Sequence, residues 1–233
     1  MRYRTPDPPA AVGSVDGLAY SLWLPASAPE GGVVVVHGAD SRKESHHDFA
    51  RLLRGAGMAA VCFDQRGHGD SPGPLDGRVL SDVETIAGLL PDGPVALRGS
   101  SMGGYVAIAA AELVRARAVV AICPAPGEGL ASGIRDGRFG FAADLEAVEA
   151  VLSEHPLEEV VARSTVPLLL LHAEGDERVP VQHSRDLAGA SRAEPTRLIV
   201  VPGGHHRSVQ HDEELQGEAV RFVRRAFAAR PPE

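Results

Sequence analysis

The segment 99–103, which reads Gly-Ser-Ser-Met-Gly, contains the residue best suited to covalent chemistry. It lies between an apolar run and an alanine-rich run, which predict a strand and a helix. A G-x-S-x-G segment in that setting forms a tight turn that presents a serine hydroxyl for attack on a carbonyl. The turn leaves almost no room for side chains two positions before and after the nucleophile. Glycines occupy those positions around Ser101, whereas Arg98 and Met102 occupy them around Ser100, so Ser101 is the predicted nucleophile.

The elements that must position this serine are predicted by an alternation of short apolar runs and longer amphipathic runs. Uninterrupted apolar runs are typical of strands covered on both faces of a parallel sheet. The predicted strands are 18–24, 33–36, 59–63, 95–97, 118–122, 168–172 and 198–201. The predicted helices are 49–53, 79–90, 106–114, 181–187 and 215–227. We therefore expect an α/β fold, with a mostly parallel central sheet and helices on both faces.

The composition fits a soluble protein with a single domain over 1–233. The 233 residues are 44% hydrophobic, which is enough for one large core. A formal net charge of −8 argues against nucleic acid and anionic membranes as partners. The two cysteines lie in apolar runs, so we expect buried thiols and no disulfide. No signal-peptide or transmembrane pattern is found, so the expected location is cytoplasmic. The oligomeric state stays open.

Four motifs together resemble the α/β-hydrolase superfamily, and the resemblance runs over nearly the whole chain. They are His37-Gly38, the segment 64–71, the serine turn 99–103, and Gly175-Asp176 with the downstream segment 202–206. The joint occurrence is far more specific than any one motif. The resemblance implies an α/β-hydrolase fold and a catalytic triad in the chain order Ser, Asp or Glu, His. It implies no cofactor.

The resemblance places the triad acid at Asp176, in the turn after the predicted strand 168–172. Glu174 and Glu177 are neighbouring carboxylates, but the glycine-aspartate pair favours Asp176. An aspartate in a turn also commonly bonds the local backbone, which is the alternative interpretation of this residue.

The triad base is predicted among two adjacent histidines after the last strand. Similar hydrolases commonly place the histidine four residues after a proline, which selects His206 from Pro202. An alternative alignment, with the histidine directly after a Gly-Gly pair, selects His205. A metal site formed by His205, His206 and His211 is disfavoured, because the spacing and the acidic or cysteine ligands of a metallohydrolase motif are missing. We therefore predict no metal.

The oxyanion hole is assigned by resemblance to the backbone N–H groups of Ala39 and Met102. The remaining histidines near the motifs have non-catalytic interpretations. His37 and His68 are interpreted as bracing their loops, and the adjacent pair 46–47 is expected to be solvated.

A long connection separates two predicted strands, from Pro124 to Val166. It contains a glycine-rich loop and a predicted helix at 144–152, and we interpret it as a small cap over the ends of the strands. Four of its apolar residues are predicted to form one wall of an acyl pocket, namely Phe139, Phe141, Leu145 and Val148. The alternative is that they only pack the insertion onto the domain.

These features predict a serine esterase of the carboxylesterase type, acting on a small-molecule ester with a small to medium acyl group. Ser101 attacks the carbonyl, His206 carries the proton, Asp176 orients the imidazole, and water clears the acyl-enzyme. A thioesterase or a peptidase would use the same triad. A non-catalytic ligand-binding member of the fold is a further alternative, and loss of a triad residue would be its mark.

Overall fold

The centre of the molecule is a sheet of eight strands, in a computed structural model that describes residues 7–229. The strands are β1 (Ala11–Val15), β2 (Leu18–Trp23), β3 (Gly32–Val36), β4 (Ala59–Phe63), β5 (Val95–Ser100), β6 (Ala118–Ile122), β7 (Leu168–Ala173) and β8 (Thr196–Val201). Their spatial order is β1-β2-β4-β3-β5-β6-β7-β8. The β1–β2 and β2–β4 pairs are antiparallel, and the other pairs are parallel. The predicted mostly parallel sheet is confirmed.

Helices cover both faces of this sheet, because its strands are apolar on both sides. The helices are α1 (His47–Gly55), α2 (Val79–Ala87), α3 (Met102–Ala109), α4 (Gly127–Arg135), α5 (Leu145–Glu154), α6 (Leu157–Arg163), α7 (Val181–Ala190) and α8 (Glu213–Ala228). Successive strand residues point to opposite faces. Val34 and Val36 accordingly join a core with α2 and α3, while Val33 and Val35 join a second core with α1 and α8. Within residues 7–229, no helix is long and apolar enough to cross a membrane.

Several predicted elements differ from the observed ones. Strand β1 was not predicted, because it is a short, largely exposed edge strand with little apolar pattern. The helix predicted at 106–114 has the wrong bounds. The observed helix α3 begins four residues earlier, at Met102 directly after the serine turn, and ends at Ala109. The sequence also gave no sign of the 3₁₀ helix Lys43–His46 that precedes α1.

The long connection after β6 contains three helices, α4 to α6, where a glycine-rich loop and one helix were predicted. Glycine disfavours helix in isolation, but α4 is held by packing, with Leu130 buried against the core. A Cβ on Gly133 would lie 2.5 Å from the Phe139 ring, so close packing at this point requires glycine. A short parallel bridge between Leu75 and Ala143 ties the connection to the segment before α2.

Candidate active site

Ser101 occupies a strained turn between β5 and α3. Its backbone has φ 54° and ψ −119°, a conformation that costs a non-glycine residue free energy and is typical of functional sites. Its N–H donates to the Ile122 carbonyl at 2.8 Å, which fixes the turn to β6. A Cβ on Gly99 would overlap the Gly103 carbonyl, and one on Gly103 would overlap the Val36 carbonyl. The steric demand predicted from the glycine spacing is therefore confirmed.

The loop after β3 lies against this turn. A Cβ on Gly38 would stand 3.2 Å from the Ser101 Cβ, so only glycine allows the two segments to come this close. The next residue, Ala39, lines the same cavity as Ser101. Within residues 7–229, the N–H groups of Ala39 and Met102 have no protein acceptor. Unpaired N–H groups beside a nucleophile are what an oxyanion hole requires.

Asp176 follows β7, and its side chain is fully buried. Its Oδ1 accepts hydrogen bonds from the backbone N–H groups of Arg178, at 2.8 Å, and Val179, at 2.9 Å. Its Oδ2 lies 2.7 Å from His206 Nδ1. This carboxylate therefore bonds the local turn and a histidine from a distant loop at the same time.

The pKa of Asp176 reflects opposing effects. Burial by itself raises it, because an ionised carboxylate loses hydration. Hydrogen bonds from His172, His206 and the two backbone N–H groups outweigh burial and hold the pKa well below its usual range. Asp176 is accordingly an anion at neutral pH, able to orient an imidazole.

Of the two adjacent histidines, the structure brings His206 to Asp176. The ring of His206 is largely buried, and its backbone N–H donates to Glu177 Oε2 at 3.1 Å. His205 is exposed and belongs to a local turn, in which its N–H donates to Ser208 Oγ at 3.0 Å. His206 lines the same cavity as Ser101. The third member of the metal alternative, His211, instead lies 2.8 Å from Asp48 through Nδ1.

His172, at the end of β7, is a site residue that sequence reasoning missed. It is fully buried. Its Nε2 lies 2.9 Å from the Val179 carbonyl, which can only accept, so Nε2 carries the proton and Nδ1 accepts from Ser184 Oγ at 2.7 Å. The same Nε2 is 3.4 Å from Asp176 Oδ2. A histidine inside an otherwise apolar strand, four residues before the predicted acid, was the available signal.

Cys123 also lies close to Asp176 and His206. Its Sγ, the carboxylate of Asp176 and the ring of His206 have ligand atoms within 4.8 Å of one another. Cysteine, aspartate and histidine are suitable zinc ligands, but metal–ligand bonds of about 2 Å keep two ligands of one ion roughly 3 Å or more apart. The 2.7 Å contact between Asp176 and His206 is a direct hydrogen bond instead. Burial raises the pKa of the Cys123 thiol, which therefore stays protonated.

The cavity that holds Ser101 and His206, called here the Ser101 cavity, has a volume of about 630 Å³. Its lining includes both apolar and polar residues. The apolar ones include Ile122, Ala125, Leu130, Phe139 and Val179, and the polar ones include Ser41, Ser45, Gln210 and His211.

The predicted acyl-pocket wall is wrong in three of its four residues. Phe139 lines the Ser101 cavity, but Phe141, Leu145 and Val148 do not. Phe141 borders a neighbouring depression, where its ring packs on His68 at 4.2 Å between centroids. Val148 is 4% exposed and points into the core, because α5 turns that face toward the domain.

The expectation that His46 and His47 are solvated is wrong. His46 is 1% exposed, and its Nδ1 lies 2.8 Å from an amino group of Arg98, itself a buried residue of β5. The other amino group of Arg98 donates to the Gln210 carbonyl at 2.9 Å. The guanidinium also stacks over the Phe49 ring at 4.4 Å. Since Gln210 belongs to the loop that carries His206, Arg98 connects the strand of the nucleophile to that loop.

The segment 64–71 braces the loops around the cavity. Asp64 is fully buried and accepts hydrogen bonds from the backbone N–H and Nζ of Lys43, both at 2.7 Å. His37 Nε2 accepts from the Gln65 N–H at 3.0 Å, and His68 Nδ1 lies 3.1 Å from the Arg66 carbonyl. The bracing interpretation of these two histidines is confirmed.

Comparison with known proteins agrees with this architecture. A model of the alpha/beta hydrolase family matches residues 33–157, more than half of the chain. The chain belongs to the alpha/beta hydrolase family. Monoacylglycerol lipase of Mycolicibacterium smegmatis is 28% identical to this hydrolase-family chain, covering 88% of the chain and 91% of the lipase.

Two solved structures show the same fold. Est1E from Butyrivibrio proteoclasticus with ferulic acid bound aligns with a TM-score of 0.71 and 22% identity, covering 94% of this chain and 100% of that one. The monoacylglycerol lipase of Paleococcus ferrophilus aligns with a TM-score of 0.68 and 22% identity, covering 91% of this chain and 98% of that one.

Proposed function

We propose that this alpha/beta hydrolase is a serine esterase that cleaves carboxylic esters of small to medium acyl groups. The observation that carries the proposal is that the strained Ser101 turn and His206, which is hydrogen-bonded to Asp176, border one cavity. A serine hydroxyl is a weak nucleophile unless a base removes its proton and a carboxylate orients that base. In this proposal the three side chains act as that unit.

The reaction follows from which atoms remain free. His206 Nδ1 donates to Asp176, so His206 Nε2 is left to accept the proton as Ser101 Oγ attacks the carbonyl carbon. The N–H groups of Ala39 and Met102 stabilise the negative charge on the carbonyl oxygen. Collapse of this intermediate breaks the ester bond, and the alcohol leaves with the proton from His206. Water then attacks the acyl-enzyme by the same route, releasing the acid and restoring Ser101.

Two observations support the proposal, one on the bond cleaved and one on the size of the substrate. The relatives named above include monoacylglycerol lipases, whose names describe ester hydrolysis. The Ser101 cavity, at about 630 Å³, lies within the range of pockets for small molecules. Its apolar lining residues provide a surface for a hydrocarbon acyl chain.

The deciding experiment is a substrate panel with a matched pair of serine variants. The panel contains 4-nitrophenyl esters of increasing chain length, an acyl-CoA and a peptide anilide. We expect ester turnover to exceed the other two, and Ser101→Ala to lower kcat by about a thousandfold or more with an unchanged circular dichroism spectrum. Ser100→Ala should keep most of the activity, since its hydroxyl takes no part in the reaction.

A fluorophosphonate probe, mapped by mass spectrometry, should label Ser101. Labelling of Ser100, or of no serine, would contradict the assignment. Preferred cleavage of the acyl-CoA or the anilide would make the protein a thioesterase or a peptidase. A folded wild-type protein that turns over none of the three classes would favour the non-catalytic alternative.

A further inference from the structure

Three arginines line the Ser101 cavity, namely Arg138, Arg178 and Arg207. Among the described lining residues, Glu177 is the single carboxylate. The chain as a whole has a formal net charge of −8. The cavity therefore has an excess of positive charge on a protein that is acidic overall, which favours an anionic ligand at this place.

The guanidinium groups at the cavity are weakly paired with the protein's own carboxylates. Across residues 7–229, Arg207 has no carboxylate oxygen within 4.0 Å of its side chain. The closest contact of Arg178 is 3.9 Å, to Glu177, which is too long for a hydrogen bond. Arg138 Nε lies 3.4 Å from Asp136, and one Arg138 amino group donates to Ser132 Oγ at 2.6 Å. The N–H donors of Arg178 and Arg207 are therefore the more available for a ligand.

Arg207 has the most informative position of the three. It directly follows His206, and it also borders the neighbouring depression that contains Phe141. Arg207 is exposed, so it stands where the Ser101 cavity meets the surface. The same cavity is also lined by apolar residues, among them Leu130 and Phe139. A ligand with a hydrocarbon part and an anionic end would match both kinds of lining residue.

We propose that the preferred substrates are esters that carry an additional anionic group, a carboxylate or a phosphate, bound by Arg207 with support from Arg138 and Arg178. A guanidinium binds either anion through paired, charge-assisted hydrogen bonds. This inference rests on the proposed function, because it concerns the esters that Ser101 would cleave. It adds a charge requirement that the triad itself does not impose.

The test compares esters that differ only in charge. On the acyl side, mono-4-nitrophenyl adipate is compared with its carboxamide, 4-nitrophenyl adipamate. On the alcohol side, 4-acetoxybenzoate is compared with 4-acetoxybenzamide. For at least one pair we expect kcat/KM to be about three- to tenfold higher for the anion, the size of a few partly exposed charge-assisted hydrogen bonds. The pair that shows the preference identifies the side of the ester that faces Arg207.

Arg207→Gln should bring that ratio close to one, by lowering kcat/KM for the anionic ester more than for its neutral partner. Arg192→Gln is the matched control, because Arg192 is an exposed arginine outside the cavity and its loss changes the net charge equally. The control should keep the preference, and added salt should weaken it. A phosphonate probe, 4-acetoxyphenylphosphonate, distinguishes the two anions: a higher rate than 4-acetoxybenzoate indicates a phosphate group.

Two results would overturn the inference: neutral esters cleaved as well as the anions in both pairs, or equal effects of the two arginine variants. Neither result touches the proposed function, since the neutral esters would still be cleaved. The proposed function fails separately, if turnover of the neutral esters survives Ser101→Ala.

Discussion

Asp176 positions His206 through a carboxylate that is itself held by the local backbone. Two backbone N–H groups fix its Oδ1, and its Oδ2 is left for His206. Hydrogen bonds to a charged group contribute about 1.5–3 kcal/mol each, so the carboxylate has one strongly preferred orientation. That orientation engages Nδ1 of His206 and leaves Nε2 for the proposed reaction with Ser101. His172 adds a longer contact to the same oxygen, at 3.4 Å.

The first prediction separates the two adjacent histidines. We expect His206→Ala to lower kcat nearly as far as Ser101→Ala, because His206 is the member of the adjacent pair that contacts Asp176. The double variant should be little worse than either single one, since triad residues act as a unit. His205→Ala should keep substantial activity and serves as the matched control. An inactive His205→Ala beside an active His206→Ala would reverse the assignment, and activity in both would refute the triad.

Among the elements, β5 and the loop 202–212 must keep a fixed distance for the proposed triad to work. Arg98 joins them, through the Gln210 carbonyl on one side and His46 on the other. Burial lowers the pKa of Arg98 to about 10, so it stays charged at neutral pH. Burying a cation costs free energy unless its hydrogen bonds are made. Because one of these bonds goes to Gln210, Arg98 holds the loop in a fixed position relative to β5.

Arg98→Met tests this connection. We expect kcat to fall about tenfold or more, because small displacements of a catalytic group have large effects on rate. KM should change less, since Arg98 does not line the Ser101 cavity. Arg98→Lys should recover part of the activity, because an ammonium can bond one of the two partners. Full activity in a Met variant with unaltered thermal stability would show that the loop is held by other contacts.

The long connection after β6 gives a second prediction at this scale. Phe139→Ala should shift the preferred acyl-chain length toward longer chains, because it enlarges the Ser101 cavity. Phe141→Ala is the matched control. It should mainly lower thermal stability, since the ring packs on His68 and on Phe139 at centroid distances of 4.2 and 5.4 Å. An unchanged chain-length profile for Phe139→Ala would make Phe139 a packing residue only.

For the whole molecule, buried histidines couple stability to pH. Burial, with a smaller effect of nearby His68, lowers the pKa of His37 from 6.5 to about 4. Burial also lowers the pKa of His46 well below its usual value. The unfolded chain therefore binds these protons before the folded protein does. The contribution of these histidines to the free energy of unfolding is fully present above the pKa that they have in the unfolded chain. It is lost as the pH falls toward the pKa that they have in the folded protein.

We expect the free energy of unfolding to decrease between pH 6.5 and 4, measured by urea denaturation. One pKa unit corresponds to about 1.4 kcal/mol, so His37 alone would contribute about 3 kcal/mol across this window. Asp176 plays no part here, because its depressed pKa costs stability only below about pH 3.8. His37→Gln should flatten the slope, whereas exposed His205→Gln should not. A slope unaffected by His37→Gln would contradict the assignment.

The sequence by itself determined the features that depend on near neighbours. The serine turn was predictable because its steric demand falls on Gly99 and Gly103, within two residues of Ser101. The parallel strands were predictable because apolar runs buried on both faces have a recognisable pattern. The predicted acid and the favoured base came from the resemblance to α/β-hydrolases, whose motifs place both residues in turns after strands.

Only the tertiary structure decided which side chains meet across long stretches of chain. Asp176 and His206 are 30 residues apart, and Arg98 and Gln210 are 112 apart. No local periodicity reports such contacts, so the burial of Arg98 and His46 was missed. The lining of the Ser101 cavity was decided in the same way. The composition of the connection after β6 shows that it is partly apolar, but the packing of α4 and α5 determines which apolar residues line the cavity and which face the core.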